Sequence, residues 1–318
     1  DLIPTYIKAK NVNNANTIIP KIIIQTYKHN YFQDKIYNNI INILSLNPEC
    51  DYYLITDDIG RNLIDQNFDK KILDAYDKLH LGAAKGDFLR YIALYIYGGI
   101  YIDLDSSITT NLNQIIDYNM SHYIILDDDY NLMNTPIITK PKNPLILNII
   151  QEVVRRISNY ELNIFLATGP TLMTDVIYND ITNENIYNTR ANTSINKRNY
   201  LWLENENYKN GKIIHTSKIP AIQFKFDGYT DDLLYTNNEK YMGFLNVPTP
   251  YLYKHIHIGQ STTPSKTIEL NKIYYFDTKL YFLHTYKDKF SYVFNGNQLT
   301  ITRTDENSGW GQNLVAYL

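Results

Sequence analysis

The sequence predicts an α/β chain in which a parallel core sheet is followed by a small antiparallel β segment. Three observations carry this. Strand-like runs near 21–26 and 51–55 alternate with helical patterns around 33–46 and 69–79, the βαβ order that favours parallel strands. A helical pattern from Ala84 to Tyr97 stops at Gly98-Gly99 and passes directly into an apolar strand starting at Ile100. Beyond about residue 265, short β-rich runs replace helical patterns.

Taken in order, residues 1–17 are polar and Asn-rich and read as a loose lead-in. The strand after Ile19-Pro20-Lys21 ends at Gln25-Thr26-Tyr27, where an α/β sheet exposes a nucleotide site at its carboxyl edge. In the helix near 84–97, Ala84, Phe88, Tyr91, Ile92 and Tyr95 recur at helical spacing. Asp87 and Arg90, three apart, share a face of that helix. From Ile100 to Asp105, alternation puts Tyr101, Asp103 and Asp105 on one strand face and Ile100, Ile102 and Leu104 on the other.

A helix from Asp87 to Tyr97 advances about 15 Å and a strand from Ile100 to Asp105 roughly 17 Å, so a strand doubling back returns Asp87 and Arg90 to the level of Asp103 and Asp105. Further on, 122–126 reads as a strand ending in Asp127-Asp128-Asp129, read as a solvated turn, and 143–158 as a helix. Residues 176–212 are polar with little periodicity, the kind of loop that shapes an acceptor pocket. Runs at 272–276, 280–284, 291–294 and 298–302 read as strands, the last two joined through Asn295-Gly296-Asn297. Trp310 reads as a packing anchor of this tail against the main domain. The domain expectation is a lead-in at 1–17, a catalytic domain at 18–264 and a docked β appendage at 265–318.

Asp103-Leu104-Asp105 carries the most chemistry. Two close carboxylates raise each other's pKa and stay ionised comfortably beside a cation. A hard divalent ion on one or two carboxylates, completed by water and phosphate oxygens, is how proteins hold a nucleotide pyrophosphate. An Asp-x-Asp alone is too short to be specific, and Asp87 with Arg90 also fits a local surface salt bridge. Four charged groups beside one strand end point to a site.

At this point the motifs resemble a family. Ala84 to Asp105 resembles the DXD-containing sugar-binding region of retaining glycosyltransferases of family 32 and, more distantly, the glucosylating clostridial toxins. Ile19-Pro20-Lys21-Ile22-Ile23-Ile24-Gln25-Thr26-Tyr27 resembles that family's opening strand, Asn47-Pro48 to Asp57-Asp58 its N-P segment, and Ala167-Thr168-Gly169-Pro170 its T-G-P turn. His257 and Ser261 fit its H-x-x-x-S ending. The chain departs from the family pattern at Ile24, Tyr27 and Thr262, where the family often has His, Trp and Trp.

The resemblance implies a GT-A catalytic domain and transfer of a sugar, with retention, from a nucleotide diphosphate donor to a hydroxyl of a glycan or glycoconjugate. It implies Asp103 and Asp105 on Mn²⁺ or Mg²⁺ with His257 as a third metal-side group, His255 lying two residues away on the same strand face. Asp87 and Arg90 would bind donor sugar hydroxyls, and Tyr27 would stack on the base. Gln25, Thr26, Tyr101, Gly169 and Ser261 complete the donor site, with Asn134 facing sugar or acceptor. A lone aromatic beside Gln25 and Thr26 suits uracil, favouring a UDP-sugar over a GDP-sugar. Two alternatives stand: a phosphatase of the haloacid dehalogenase type with Asp103 as nucleophile and Asp105 as acid/base, and a carbohydrate-binding protein without turnover.

Composition sets limits on partners. A net charge of −3 without a long basic run gives nucleic acid and acidic membranes little to attract. The one cysteine, Cys50, excludes an internal disulfide framework. No apolar run approaches the ~20 residues of a membrane span. A cytoplasmic location is therefore favoured, with a removed N-terminal anchor and a Golgi-type location left open.

Overall fold

The computed structural model describes residues 1–318 except 12–15, 128–131, 183–184, 186, 189–209, 216–221, 225–251, 272–278, 284–286, 306–307 and 318. Its contacts divide the chain into two units, one of Asp1–Asp77 with Leu81–Thr249 and one of Lys78–His80 with Pro250–Leu318.

In chain order the first unit contains β1 (Tyr6–Ile7), β2 (Ile22–Tyr27), α1 (Asp34–Leu46), β3 (Asp51–Thr56), α2 (Asp57–Asn67), α3 (Lys70–Lys78), α4 (Gly82–Tyr97), β4 (Gly99–Tyr101) and β5 (Ser106–Ile108). It continues with β6 (His122–Leu126), β7 (Ile137–Thr139), α5 (Pro144–Ser158), α6 (Ile164–Ala167), α7 (Pro170–Thr182), β8 (Gly211–His215) and β9 (Ile222–Phe224). Among the described residues, seven strands form one sheet in the order β1-β3-β2-β4-β7-β6-β8. The expected parallel centre is present: β2 pairs in parallel with β3 and β4, and β6 with β8. β1 and β7 run antiparallel to their neighbours, so the sheet is mixed.

The apolar pattern explains the layers. Ile36, Ile40 and Ile43 recur on one stripe of α1 and pack with Ile23, Leu54 and Ile100 of the sheet. Each such buried side chain contributes roughly 1.5–3 kcal/mol. On the sheet's other face lies α4, where Gly86 faces Thr26 and Arg90 faces the Tyr101 ring. α4 is buried nearly all round from Phe88 to Leu94, which is why it reads as apolar on every face. It ends at Gly98, φ 65°, and Gly99, φ 101°, backbone angles that L side chains rarely adopt.

Several elements differ from the sequence expectation. The first residues are not loose: Ile3 is buried and β1 pairs with β3. α2 was not expected; Thr56 caps it by accepting from the Ile59 amide, with Asp57 and Asp58 in its first turn. α7 extends to Thr182, so residues 176–182 of the stretch expected to lack periodicity are helical. Asp128, Asp129, the run at 272–276 and most of 183–209 lie outside the described residues.

The second unit contains β10 (His255–Ser261), β11 (Ser265–Glu269), β12 (Tyr281–Leu283), β13 (Phe290–Asn295), β14 (Gln298–Arg303) and β15 (Trp310–Tyr317). The described strands form the antiparallel sheets β10-β15-β12 and β11-β14-β13. The β13–β14 hairpin closes as expected, with Asn295 opposite Gln298 and Gly296 at φ 61°. β10, which lies before residue 265, pairs with β15 and falls in this unit. Trp310 is buried within this unit, donating from Nε1 to the Gly259 carbonyl at 2.7 Å and meeting Phe290 edge-on.

Candidate active site

β4 is three residues long, and its end is where the expectation of one strand from Ile100 to Asp105 needs correction. After Tyr101 the chain bends, the Ser106 amide donates to the Asp103 carbonyl at 3.1 Å, and pairing resumes in β5. Asp103 and Asp105 therefore sit on a turn. Fixed partners replace the sheet ladder there. The Ile102 amide donates to the Ile24 carbonyl at 3.1 Å, the Asp103 amide to Thr135 Oγ1 at 3.0 Å, and Gln25 Nε2 to the Asp103 carbonyl at 3.3 Å. Asn39 of α1 donates to the Leu104 and Ser106 carbonyls at 3.3 and 2.8 Å. The alternation survives the bend: Ile102, Leu104 and Ser106 are buried while Asp103 and Asp105 are half-buried.

α4 brings the other charges. Arg90 Nη2 lies 2.8 Å from Asp87 Oδ1 and 3.2 Å from Asp103 Oδ1, and Nη1 donates to the Asn134 carbonyl at 2.6 Å. The guanidinium carbon sits 4.5 Å from the centroid of the Tyr101 ring. The Tyr101 hydroxyl donates to Asp103 Oδ1 at 2.7 Å and lies 2.9 Å from Thr26 Oγ1. Asp87 accepts from Asn134 Nδ2 at 3.0 Å and from Thr168 Oγ1 at 3.1 Å.

Burial sets the electrostatics. It pushes the Asp87 carboxyl up to about 6, the nearby Asp103 charge adding to this, while Arg90 and the Thr168 and Asn134 hydrogen bonds oppose it. Burial works against the Arg90 cation, yet Asp103, Tyr101 and Asp87 raise its pKa above the usual arginine value. The Tyr101 phenol is raised well above its ordinary value, chiefly by burial. Arg90 is therefore a fixed cation between two carboxylates.

Of the residues read from the sequence, Asp87, Arg90, Tyr101, Asp103, Asn134, Gln25 and Thr26 meet in this cluster. Gln25 is fully buried with both ends of its amide used, Nε2 on Asp103 and Oε1 accepting from the Tyr52 hydroxyl at 3.0 Å. It supports the turn through its side-chain amide. Tyr27, at the end of β2, packs against Phe32 and edge-on to His29. Gly169 stands where a Cβ would lie 2.9 Å from the Phe165 Cα, beneath Thr168. His257, exposed on β10, and Ser261 belong to the second unit.

Among the described residues, no three His, Cys, Asp or Glu side chains gather to hold a metal. Asp103 and Asp105 form a two-carboxylate set of hard oxygen donors, which fits Mg²⁺ or Mn²⁺ if the remaining positions come from diphosphate and water. The sequence reading missed the side chains of Thr168, Thr135 and Asn39. The T-G-P motif at Thr168-Gly169-Pro170 is the local signal that points to Thr168.

Comparison with known proteins bears on the same residues. The family described as glycosyltransferase sugar-binding region containing DXD motif matches residues 33–122. Inositol phosphoceramide mannosyltransferase 2 of Schizosaccharomyces pombe is 31% identical over 173 residues, 53% of this chain and 49% of that protein. Mannosyl phosphorylinositol ceramide synthase CSH1 of Saccharomyces cerevisiae is 28% identical over 162 residues, 50% of this chain and 42% of that protein. Uncharacterized glycosyltransferase L373 of Acanthamoeba polyphaga mimivirus is 31% identical over 162 residues, 50% of this chain and 63% of that protein. The chain thus spans about half the length of the first of these relatives.

Among solved structures, PaToxG Glycosyltransferase aligns with a TM-score of 0.43 and 18% identity, covering 51% of this chain and 69% of that one. No described helix is long and apolar enough to cross a membrane. The resemblance read from the motifs is borne out as a resemblance: residues 33–122 match the glycosyltransferase sugar-binding region containing DXD motif, and Asp103-Leu104-Asp105 is the Asp-x-Asp within them.

Proposed function

We propose that this chain transfers a hexosyl group from a nucleoside diphosphate sugar to a hydroxyl of a glycan or glycoconjugate, with retention at the anomeric carbon. The observation that carries the reading is the convergence of Asp87, Arg90 and Asp103 beside the DXD turn. Two of the relatives are named for mannosyl transfer, which makes mannose the first sugar to test. Gln25 and Thr26 are both buried, with Gln25 on Asp103 and Tyr52 and Thr26 beside the Tyr101 hydroxyl, so the sequence argument for uracil over guanine rests chiefly on Tyr27 and UDP- and GDP-sugars are tested side by side.

The chain's own groups divide the work. Asp103 and Asp105 would hold a divalent ion, which when bound supplies Lewis-acid stabilisation to the departing diphosphate. Arg90 places a permanent cation next to that position, where it offsets developing negative charge without reorganising. Asp87 accepts from Arg90, Asn134 and Thr168. An ionised carboxylate offers about four acceptor positions, which leaves Asp87 capacity for a sugar hydroxyl. Tyr101 holds the Asp103 carboxylate through its hydroxyl.

The test is nucleoside diphosphate release from GDP-mannose, UDP-glucose and UDP-galactose, with Mn²⁺, with Mg²⁺ and with chelator, for the native chain and Asp105→Asn. Release from one donor that needs both the ion and Asp105 is the expected result. The reading fails if no donor is cleaved and calorimetry finds no metal-dependent donor binding.

A further inference from the structure

Asp87 is held by a residue well away in sequence. Its Oδ2 accepts from the Thr168 hydroxyl at 3.1 Å, and Thr168 is itself fully buried. The Thr168 carbonyl in turn accepts from the Tyr91 hydroxyl at 3.0 Å, tying the segment back to the helix that carries Asp87 and Arg90. The backbone just before Thr168 is clamped separately. Arg156 of α5 donates from Nη1 to the Leu166 carbonyl at 2.9 Å, while its Nη2 pairs with the fully buried Asp175 of α7 at 2.8 Å. Arg156 Nε also lies 2.6 Å from Glu152. Asn163 caps α6 by accepting from the Phe165 and Leu166 amides. These contacts hold the backbone that carries Thr168; its hydroxyl lies 3.1 Å from Asp87 Oδ2 and 3.4 Å from the Ile164 carbonyl, so its one proton favours the nearer, charged acceptor.

We propose that Thr168 is a positioning residue for sugar transfer: its hydroxyl, held in place by the Arg156-clamped 164–169 segment, orients the Asp87 carboxylate toward the donor sugar. The proposal deepens the function proposed above and rests on it. Arg90 and Asn134 both reach Oδ1 of Asp87, so Thr168 is the described side chain that holds the other oxygen. Without it Oδ2 loses the contact that sets the tilt of the carboxylate plane, while Arg90 and Asn134 still hold Oδ1. The loss should therefore fall on the sugar and leave the nucleotide alone.

The experiment compares the native chain with Thr168→Val, which keeps the shape and removes the hydroxyl, and Thr168→Ser, which keeps the hydroxyl. Each is assayed for cleavage of GDP-mannose and of UDP-glucose with Mn²⁺, and for calorimetric binding of GDP and of UDP. A hydrogen bond to a charged group supports about a ten- to hundredfold effect, so Thr168→Val should lose about that factor in kcat on whichever donor the native chain cleaves. GDP or UDP binding should hold, and Thr168→Ser should recover most of the rate. Native rates in Thr168→Val, equal impairment of Thr168→Ser, or parallel loss of nucleotide binding would each overturn the positioning role. Thr168→Ala reads the same way if the valine variant does not fold. Failure of the native chain to cleave any donor counts against the proposed function itself, so the two failures are separable.

Discussion

Arg90 on α4 reaches Asp103 on the DXD turn at 3.2 Å, across thirteen positions of sequence, with the same Nη2 that pairs with Asp87 at 2.8 Å. One buried guanidinium thus joins the helix to the DXD turn. The two elements cannot shift independently without leaving a carboxylate unpaired in a poorly solvated place.

Replacing Arg90 by Lys should be costly, because an ammonium cannot reproduce a planar fork that serves Asp87, Asp103 and the Asn134 carbonyl together. Breaking a buried pair by removing one partner costs about 3–5 kcal/mol, and Arg90→Met should approach that range with Arg90→Lys somewhat below it. Urea unfolding gives the stability change, and donor cleavage should fall at least about a hundredfold in both variants. An Arg90→Lys variant with native rates would contradict the role assigned to the fork.

Donor cleavage should weaken as pH falls through about 6, where buried Asp87 takes up a proton and ceases to accept from a sugar hydroxyl. An unperturbed aspartate would place this limb near 4. Stability responds with the opposite sign. Between the unfolded value of 3.8 and about 6 the folded state binds more protons, so this carboxyl's contribution is present below 3.8 and is lost as pH rises through 6. A profile of kcat/KM against pH checks the prediction, and in Asp87→Asn the limb near 6 should vanish from whatever activity remains.

Gly99→Ala should unfold the chain at lower denaturant. Gly99 has φ 101°, and a Cβ there would lie 2.5 Å from the Ile22 carbonyl oxygen, backbone that cannot move without breaking the β2–β4 pairing. Backbone strain together with overpacking predicts a loss of about 2–4 kcal/mol, readable as a shifted urea midpoint. Gly82→Ala, with nothing within 4 Å of its Cβ, is the control and should be neutral or slightly stabilising.

The DXD region was legible because it is local. Helical spacing from Ala84 to Tyr97, the Gly98-Gly99 stop and the apolar run after Ile100 together bring Asp87 and Arg90 to the level of Asp103 from rise per residue alone. Other features are hidden from pattern. α2 begins at a cap directly after a strand, with Gly60 buried in its middle, so neither periodicity nor a loop announces it. The turn at 103–105 breaks a run whose alternation is unbroken, because its stop comes from Asn39, Gln25 and Thr135 and not from a local breaker.

What the sequence by itself determined is the α/β order, the antiparallel tail and which charged residues meet beside the turn, Asp87, Arg90 and Asp103, since each follows from short-range periodicity, turn chemistry or motif order. What the tertiary structure decided is what those residues hold and are held by. Gln25 is buried behind the turn, Trp310 is packed into the second unit, and Thr168 lies against Asp87, eighty-one positions away. These contacts depend on which faces meet when the helices close on the sheet, and that is set by the packing of the whole unit, with no trace in the spacing of neighbouring residues.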